Sequence, residues 1–245
     1  MGLQVTEIVV AARDPEAQAR FWAGLLGWSV SRGGWSVAAV SAHGLDLPLH
    51  FEVREEPKRG LDRTHLDLTS RSPEHQRELV DRALAGGATH LDVGQGPDAD
   101  HVVLADPEGN EFCVIESWNA FLAGTGAVGA LAGSGSRATG VFWSGALGWP
   151  LVWDQDDETA VQHPDGGPKI TWGGEPVAPK QGPNRLQLTL EVSPGGRLVD
   201  EVDRLLQLGG TRADDGPSGA RGSGGAVPMC DPDGNELWLR PPHDD

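Results

Sequence analysis

The chain has no tyrosine and only two cysteines. It also lacks any apolar run of about 18 residues, so no membrane-spanning helix is expected. Cys113 and Cys230 are too few to staple a disulfide scaffold, and the N-terminus shows no basic-then-apolar leader. Both shortages point to a reduced, cytoplasmic protein. Without tyrosine, buried aromatic polar tips must come from the nine tryptophans. Basic residues are scarce as well, 19 against 36 acidic, for a net charge of −17. Residues 1–117 carry −9 of this and residues 118–245 carry −8, so the field is even. Such a field repels phosphate backbones, and no basic stripe interrupts it; no nucleic-acid partner and no membrane partner are expected.

What is present is a repeat. Asp106-Pro107-Glu108-Gly109-Asn110-Glu111 returns as Asp231-Pro232-Asp233-Gly234-Asn235-Glu236. Pro presets φ for a tight turn, Gly and Asn tolerate positive φ, and an apolar run follows each time. Phe21-Trp22 and Leu26-Gly27-Trp28 return as Phe142-Trp143 and Leu147-Gly148-Trp149, 121 residues on. Pro57-Lys58 and Arg63 return as Pro179-Lys180 and Arg185 at an offset of 122, and Gly86-Gly87 as Gly209-Gly210 at 123. Landmarks in one order with a slowly drifting offset indicate a duplication. The halves are set as domains 1–118 and 119–245, each within the usual size of a domain.

Within the first half the pattern itself repeats. Residues 5–11 read as a strand, Asp14 and Pro15 as a helix start, and Gly27 as its stop. Strands are predicted over 28–30, 35–40 and 47–53, then a polar connection over 55–61. Residues 64–69 alternate His65, Asp67 and Thr69 with Leu66 and Leu68, the period of a strand. Ser72 and Pro73 open a second helix over 73–85, closed by Gly86-Gly87, and strands over 90–93, 101–105 and 111–116 follow. Residues 5–117 therefore spell two βαβββ modules. The second half starts on a weakly written strand over 127–131 and has a Gly/Ser-rich loop over 216–225. The fold class is α+β: two tandem domains, each a pair of βαβββ modules.

These landmarks resemble the vicinal oxygen chelate superfamily, which includes glyoxalase I, bleomycin-resistance proteins and extradiol dioxygenases. The resemblance is carried by Glu7-Ile8-Val9-Val10, by Phe21-Trp22 with Leu25-Leu26-Gly27-Trp28, by Arg63 with His65-Leu66-Asp67-Leu68, and by Asp106-Pro107 with Gly109-Asn110. It covers nearly the whole chain and implies a cup-shaped mixed sheet with helices outside and a ligand held in the cup. In metal-using members, ligands project from the first strand, from the strand opening the second module, and from the last strand. Those positions here hold Glu7, His65 and Cys113. Glu and His suit several divalent metals and a thiolate suits zinc. The family's last-strand ligand is usually a carboxylate, and Glu111, two residues before Cys113, shares its face by strand alternation. The same positions in the second half hold Val128, Gln187 and Trp238, which are poor ligands, so that half is a degenerate, Trp-rich copy.

Two readings stand for each of these residues. Cys113 is a ligand or a small buried hydrophobe. His65 beside Asp67 is a site residue or a hydrogen-bonded strand histidine. Trp172 and Trp238 are walls for a flat ligand or core filler. The expected ligand-lining set is Glu7, His65, Asp67, Glu111, Cys113, Trp172, Gln187 and Trp238. No metal or other cofactor is assigned; Glu7, His65 and Cys113 are the candidates should a divalent ion bind.

Two functions follow. One is a small-molecule binder of the bleomycin-resistance type, holding an apolar or aromatic ligand, with an acidic surface that favours cationic compounds. The other is a glyoxalase-like lyase or isomerase, or a dioxygenase, working in the first half through Glu7 and His65 as acid and base. The second requires both side chains within hydrogen-bond reach of one ligand atom. A chain that already carries two domains is expected to be a monomer with pseudo-two-fold symmetry, a homodimer being the alternative.

Overall fold

The computed structural model describes residues 2–33, 36–96, 98–213 and 225–242. Trp35, expected in a strand, and residues 216–224 of the Gly/Ser-rich loop lie outside the described residues. Among those described, no helix is long and apolar enough to cross a membrane.

Four βαβββ modules follow one another. The first holds β1 (Leu3–Ala12), α1 (Pro15–Leu26), β2 (Ser29–Gly33), β3 (Ser36–Val40) and β4 (Leu49–Val53). The second holds β5 (Thr64–Thr69), α2 (Pro73–Ala85), β6 (Thr89–His90), β7 (Val102–Ala105) and β8 (Glu111–Ile115). The third holds β9 (Val128–Gly133), α3 (Arg137–Leu147), β10 (Leu151–Gln155), β11 (Glu158–Val161) and β12 (Lys169–Trp172). The fourth holds β13 (Leu186–Val192), α4 (Leu198–Gln207), β14 (Thr211–Arg212), β15 (Val227–Cys230) and β16 (Glu236–Arg240). The helix ends carry the chemistry that the sequence announces. Asp14 accepts from the Ala17 amide at 2.9 Å, Pro15 opens α1, and Gly27 at φ 71° closes it.

The α+β class and the pairing of modules into two eight-stranded mixed sheets agree with the sequence. The partnership of modules crosses the duplication. The first sheet runs β14-β15-β16-β13-β1-β4-β3-β2 and joins the first module to the fourth. The second runs β10-β11-β12-β9-β5-β8-β7-β6 and joins the third to the second. At the centre of each sheet two opening strands lie antiparallel: β1 on β13, with Glu7 opposite Thr189, and β5 on β9, with Asp67 opposite Ala130. The cups are thus built between the halves.

Between the sheets and helices lies one main core, with Ile8, Val10, Phe51, Leu66, Leu68, Phe112, Leu188 and Leu190 on the sheets and Phe21, Trp22, Phe142 and Trp143 on the helices. The recurring turns dock the helices. Trp22 Nε1 donates to Asp106 Oδ2 at 3.3 Å, and Trp143 Nε1 donates to Asp231 Oδ2 at 3.2 Å. Asp106 also accepts from the amides of Glu108 and Asn110 and from the Asn110 side chain. Burial pushes both aspartates above the ordinary carboxylate range although these donors pull the other way.

Candidate functional site

Strand alternation fixes what each concave face presents, because the helix-facing residues of β1 and β5 are committed to the core. On the first sheet the remaining face carries Glu7 and Val9 from β1, His50 from β4, Gln187 and Thr189 from β13, and Trp238 and Arg240 from β16. On the second sheet it carries His65 and Asp67 from β5, Cys113 from β8, Ala130 and Ala132 from β9, and Lys169 from β12.

The structure therefore separates residues that the sequence places together. Glu7 lies on the first sheet, His65 and Cys113 on the second. The acid–base pair of Glu7 and His65 is not formed, because β1 and β5 are central strands of different sheets. Glu7 instead meets His50, whose Nδ1 lies 2.8 Å from Glu7 Oε2. An Arg240 guanidinium nitrogen lies 2.9 Å from the other oxygen as an ion pair. Burial alone would raise the Glu7 pKa; the hydrogen bond and charge of His50 and the charge of Arg240 outweigh it and hold the carboxyl below its ordinary value. Sequence reasoning missed His50 and Arg240. Their signal is alternation: His50 lies beside Val9 in register, and Arg240 stands two residues beyond Trp238 on one face.

Beside this cluster the first sheet opens into a cavity of about 650 Å³, bounded by the connections around residues 54–63 and 180–185. Trp238 and Gln187 line it from the sheet, and Trp238 Nε1 donates to Gln187 Oε1 at 2.8 Å. Seven basic side chains line it against three acidic ones, in a chain of strongly acidic composition. Several are already committed: Lys58 Nζ bonds Glu111 Oε1 at 2.6 Å, Lys180 Nζ bonds Glu236 Oε1 at 2.5 Å, and Arg185 is held by Asn110 and Glu108. Glu111 is accordingly a partner of Lys58 and of the Asp62 amide rather than a neighbour of Cys113. Asp62 lines the cavity. Burial, then the neighbouring Glu111 charge, push its carboxyl up to about 7 against the pull of Lys58.

On the second sheet His65 Nε2 lies 3.4 Å from Asp67 Oδ1, and one donor atom each of His65, Asp67 and Cys113 falls within 4.8 Å of the others. Burial would lower the His65 pKa, but the bonds and charges of Asp67 and Cys113 push it up to about 10. This cup is covered by the chain itself. Phe121 and Leu122, in a 3₁₀ turn over Ala120–Leu122, lie against it, Leu122 packing with Val103, Cys113, Ile115 and Ala130. Gly129 allows the approach, since a Cβ there would meet Leu122 Cδ1 at 2.9 Å and Thr69 Oγ1 closer still.

The second half's aromatics divide. Trp238 reaches the first cavity. Trp172 stacks on Trp143 with centroids 5.9 Å apart in the main core, and Trp153 meets Phe121 edge to face at the same separation. The counterpart of Glu7 is also corrected. A bulge displaces Thr6 in β1, and Gly129 is displaced likewise in β9. Glu7 therefore corresponds to Ala130, not to Val128, which is buried in the core.

The two cups differ toward a divalent metal. In the first, Glu7 and His50 are the available donors, and the Arg240 cation already neutralises the carboxylate; this does not fit a metal. In the second, an imidazole, a carboxylate and a thiol converge, a donor set suited to a borderline metal such as zinc.

A family model described as a glyoxalase-like domain matches residues 7–115 and again 131–239. Glyoxalase I from Zea mays has a similar fold, with a TM-score of 0.66 and 13% identity over 98% of this chain and 92% of its own. A candidate dioxygenase from Bacillus subtilis subsp. subtilis str. 168 gives a TM-score of 0.64 at 14% identity, over 100% of this chain and 86% of its own. None of the curated proteins matches the chain.

Proposed function

The chain belongs to the glyoxalase-like domain family, and on that premise we propose that it binds a small apolar or aromatic molecule in the cavity of the first sheet. The observation that carries this reading is the cavity of about 650 Å³ with Trp238 and Gln187 on its floor, a size that suits a small organic ligand. The Trp238 indole borders the cavity with its N–H already satisfied by Gln187, so an apolar ring meets no orphaned donor there. The basic lining argues for a neutral or anionic ligand in place of the cationic one that net charge suggests, because the local field in a cleft outweighs distant surface charge.

Reaction chemistry through Glu7 and His65 has no geometric support, since they lie on different sheets. Should a divalent metal bind, His65, Asp67 and Cys113 would hold it in the second cup, where it would act as a Lewis acid.

The test is calorimetric titration with a panel of neutral and anionic aryl compounds, with and without chelator. A one-to-one complex, indifferent to chelator and weakened at least about tenfold by Trp238→Ala, is expected. Equal affinity in Trp238→Ala would place the ligand elsewhere. Turnover that disappears with chelator would replace binding by metal-dependent catalysis.

A further inference from the structure

The concave face of the second sheet is equipped for a ligand and is occupied by the chain. Its middle is small, Ala130 and Ala132, both on β9. To one side stand Asp67, His65 and Cys113, and to the other Lys169 and Trp153, joined to them through registered neighbours from β5 to β10. Lys169 is 9% exposed, yet no carboxylate pairs with it among the described residues. The low exposure belongs mainly to its stem; the ammonium is partly buried, which pulls its pKa below the ordinary value. Its ammonium donates instead to the Phe121 backbone carbonyl and lies 4.3 Å from the Phe121 ring centroid. That ring in turn meets Trp153 edge to face at 5.9 Å.

We propose that this face is a binding site for a small aryl carboxylate, and that Phe121 occupies it as a built-in stand-in. A phenylalanine ring with its Cβ, Cα and carbonyl is a 3-phenylpropanoyl group. Its ring takes the Trp153 wall and its oxygen takes the Lys169 ammonium. A free carboxylate beside the amide carbonyl, on another of the three N–H donors of the ammonium, supplies the counter-charge that Lys169 lacks, and a charge-assisted bond is stronger than one to a neutral carbonyl. Asp67 does not compete for this lysine, because His65 holds it. The turn that carries the stand-in is held independently of the Phe121 ring: Leu122 N donates to Asn119 Oδ1 at 3.2 Å, Thr125 Oγ1 to Leu122 O at 2.7 Å, Thr125 Oγ1 lies 3.0 Å from Thr69 Oγ1, and Leu122 is packed in its own cluster. Removing the Phe121 side chain therefore vacates the ring position while the turn, with the Phe121 carbonyl on Lys169, stays in place.

The experiment titrates 3-phenylpropionate into the full-length protein, into Phe121→Ala and into Phe121→Ala/Lys169→Met. Phe121→Ala is expected to bind at least about tenfold more tightly than the parent, and the double variant to return to the parental level. The cation 3-phenylpropylamine is expected not to bind better to Phe121→Ala. Saturating 3-phenylpropionate is also expected to raise the melting temperature of Phe121→Ala by more than that of the parent, since a ligand stabilises the state that binds it in proportion to the logarithm of its affinity. Phe121→Leu, which keeps an apolar side chain on the turn, gives an intermediate gain and serves if the alanine variant does not fold. Equal affinity in parent and both Phe121 variants, or full binding in the double variant, overturns the proposal. Binding to the first cavity would appear equally in the parent and is distinguished by its dependence on Trp238.

Discussion

Arg185 Nε donates to Asn110 Oδ1 across 2.6 Å, tying the start of the fourth module to the turn that closes the second. The same guanidinium reaches the Ala11 carbonyl at 2.7 Å and Glu108 at 3.2 Å. Its counterpart 122 residues earlier, Arg63, reaches the Asp233 carbonyl at 2.7 Å and Asn235 Oδ1 at 3.5 Å. Each half thus carries an arginine that grips the recurring turn of the other. The arginine side chain of the first grip is 5% exposed.

Arg185→Leu is expected to destabilise the fold by about 3 kcal/mol, because it strips the buried Ala11 carbonyl and Asn110 amide oxygen of this donor and removes the cation beside Glu108, which keeps its bonds to the Arg13 and Asp14 amides. Arg63→Leu, whose bonds are partly solvated, should cost clearly less. Urea denaturation reads both; an equal or reversed order would show that the two grips are not ranked by burial.

Trp22→Phe and Trp143→Phe should each cost about 2 kcal/mol, since each removes an indole donor to a buried aspartate and some packed volume. Similar losses in thermal unfolding would confirm that the two turns do the same work. No loss in either would mean that the remaining donors suffice for Asp106 and Asp231.

Glu7→Gln tests the cluster of the first cup. The folded carboxyl titrates below its ordinary value of 4.5, so its contribution is present above that value and is lost as pH falls through the folded pKa. The variant should be less stable than the parent at pH 7, and the gap should close in acid. A gap constant across that range would deny the coupling to His50 and Arg240.

Asp62 has the opposite sign. Its carboxyl is pushed up from 3.8 to about 7, so its contribution is fully present below 3.8 and is lost as pH rises through about 7. Asp62→Asn should therefore gain melting temperature relative to the parent between pH 5 and pH 8. A parallel pair of pH profiles would show that the buried carboxyl is not protonated in the native state.

The sequence carried the local structure and the ancestry. Asp14, Pro15 and Gly27 bound α1 by capping chemistry that needs no distant partner. Two copies of the Asp-Pro turn and of the Phe-Trp helix disclosed the duplication and the glyoxalase-like family. Gln187 and Trp238 stand together at one cavity of the first sheet. The partnership of modules was beyond the sequence, because all four present similar opening strands and nothing local says whether β1 lies on β5 or on β13. That choice is made by long-range contacts such as Arg185 to Asn110 and the β1–β13 register, and it parts Glu7 from His65. The same register, with bulges at Thr6 and Gly129, makes Ala130 the counterpart of Glu7. Only the tertiary structure brings His50 and Arg240 to Glu7, sets Phe121 against Lys169, and turns Trp172 into core and Trp238 into the wall of a cavity.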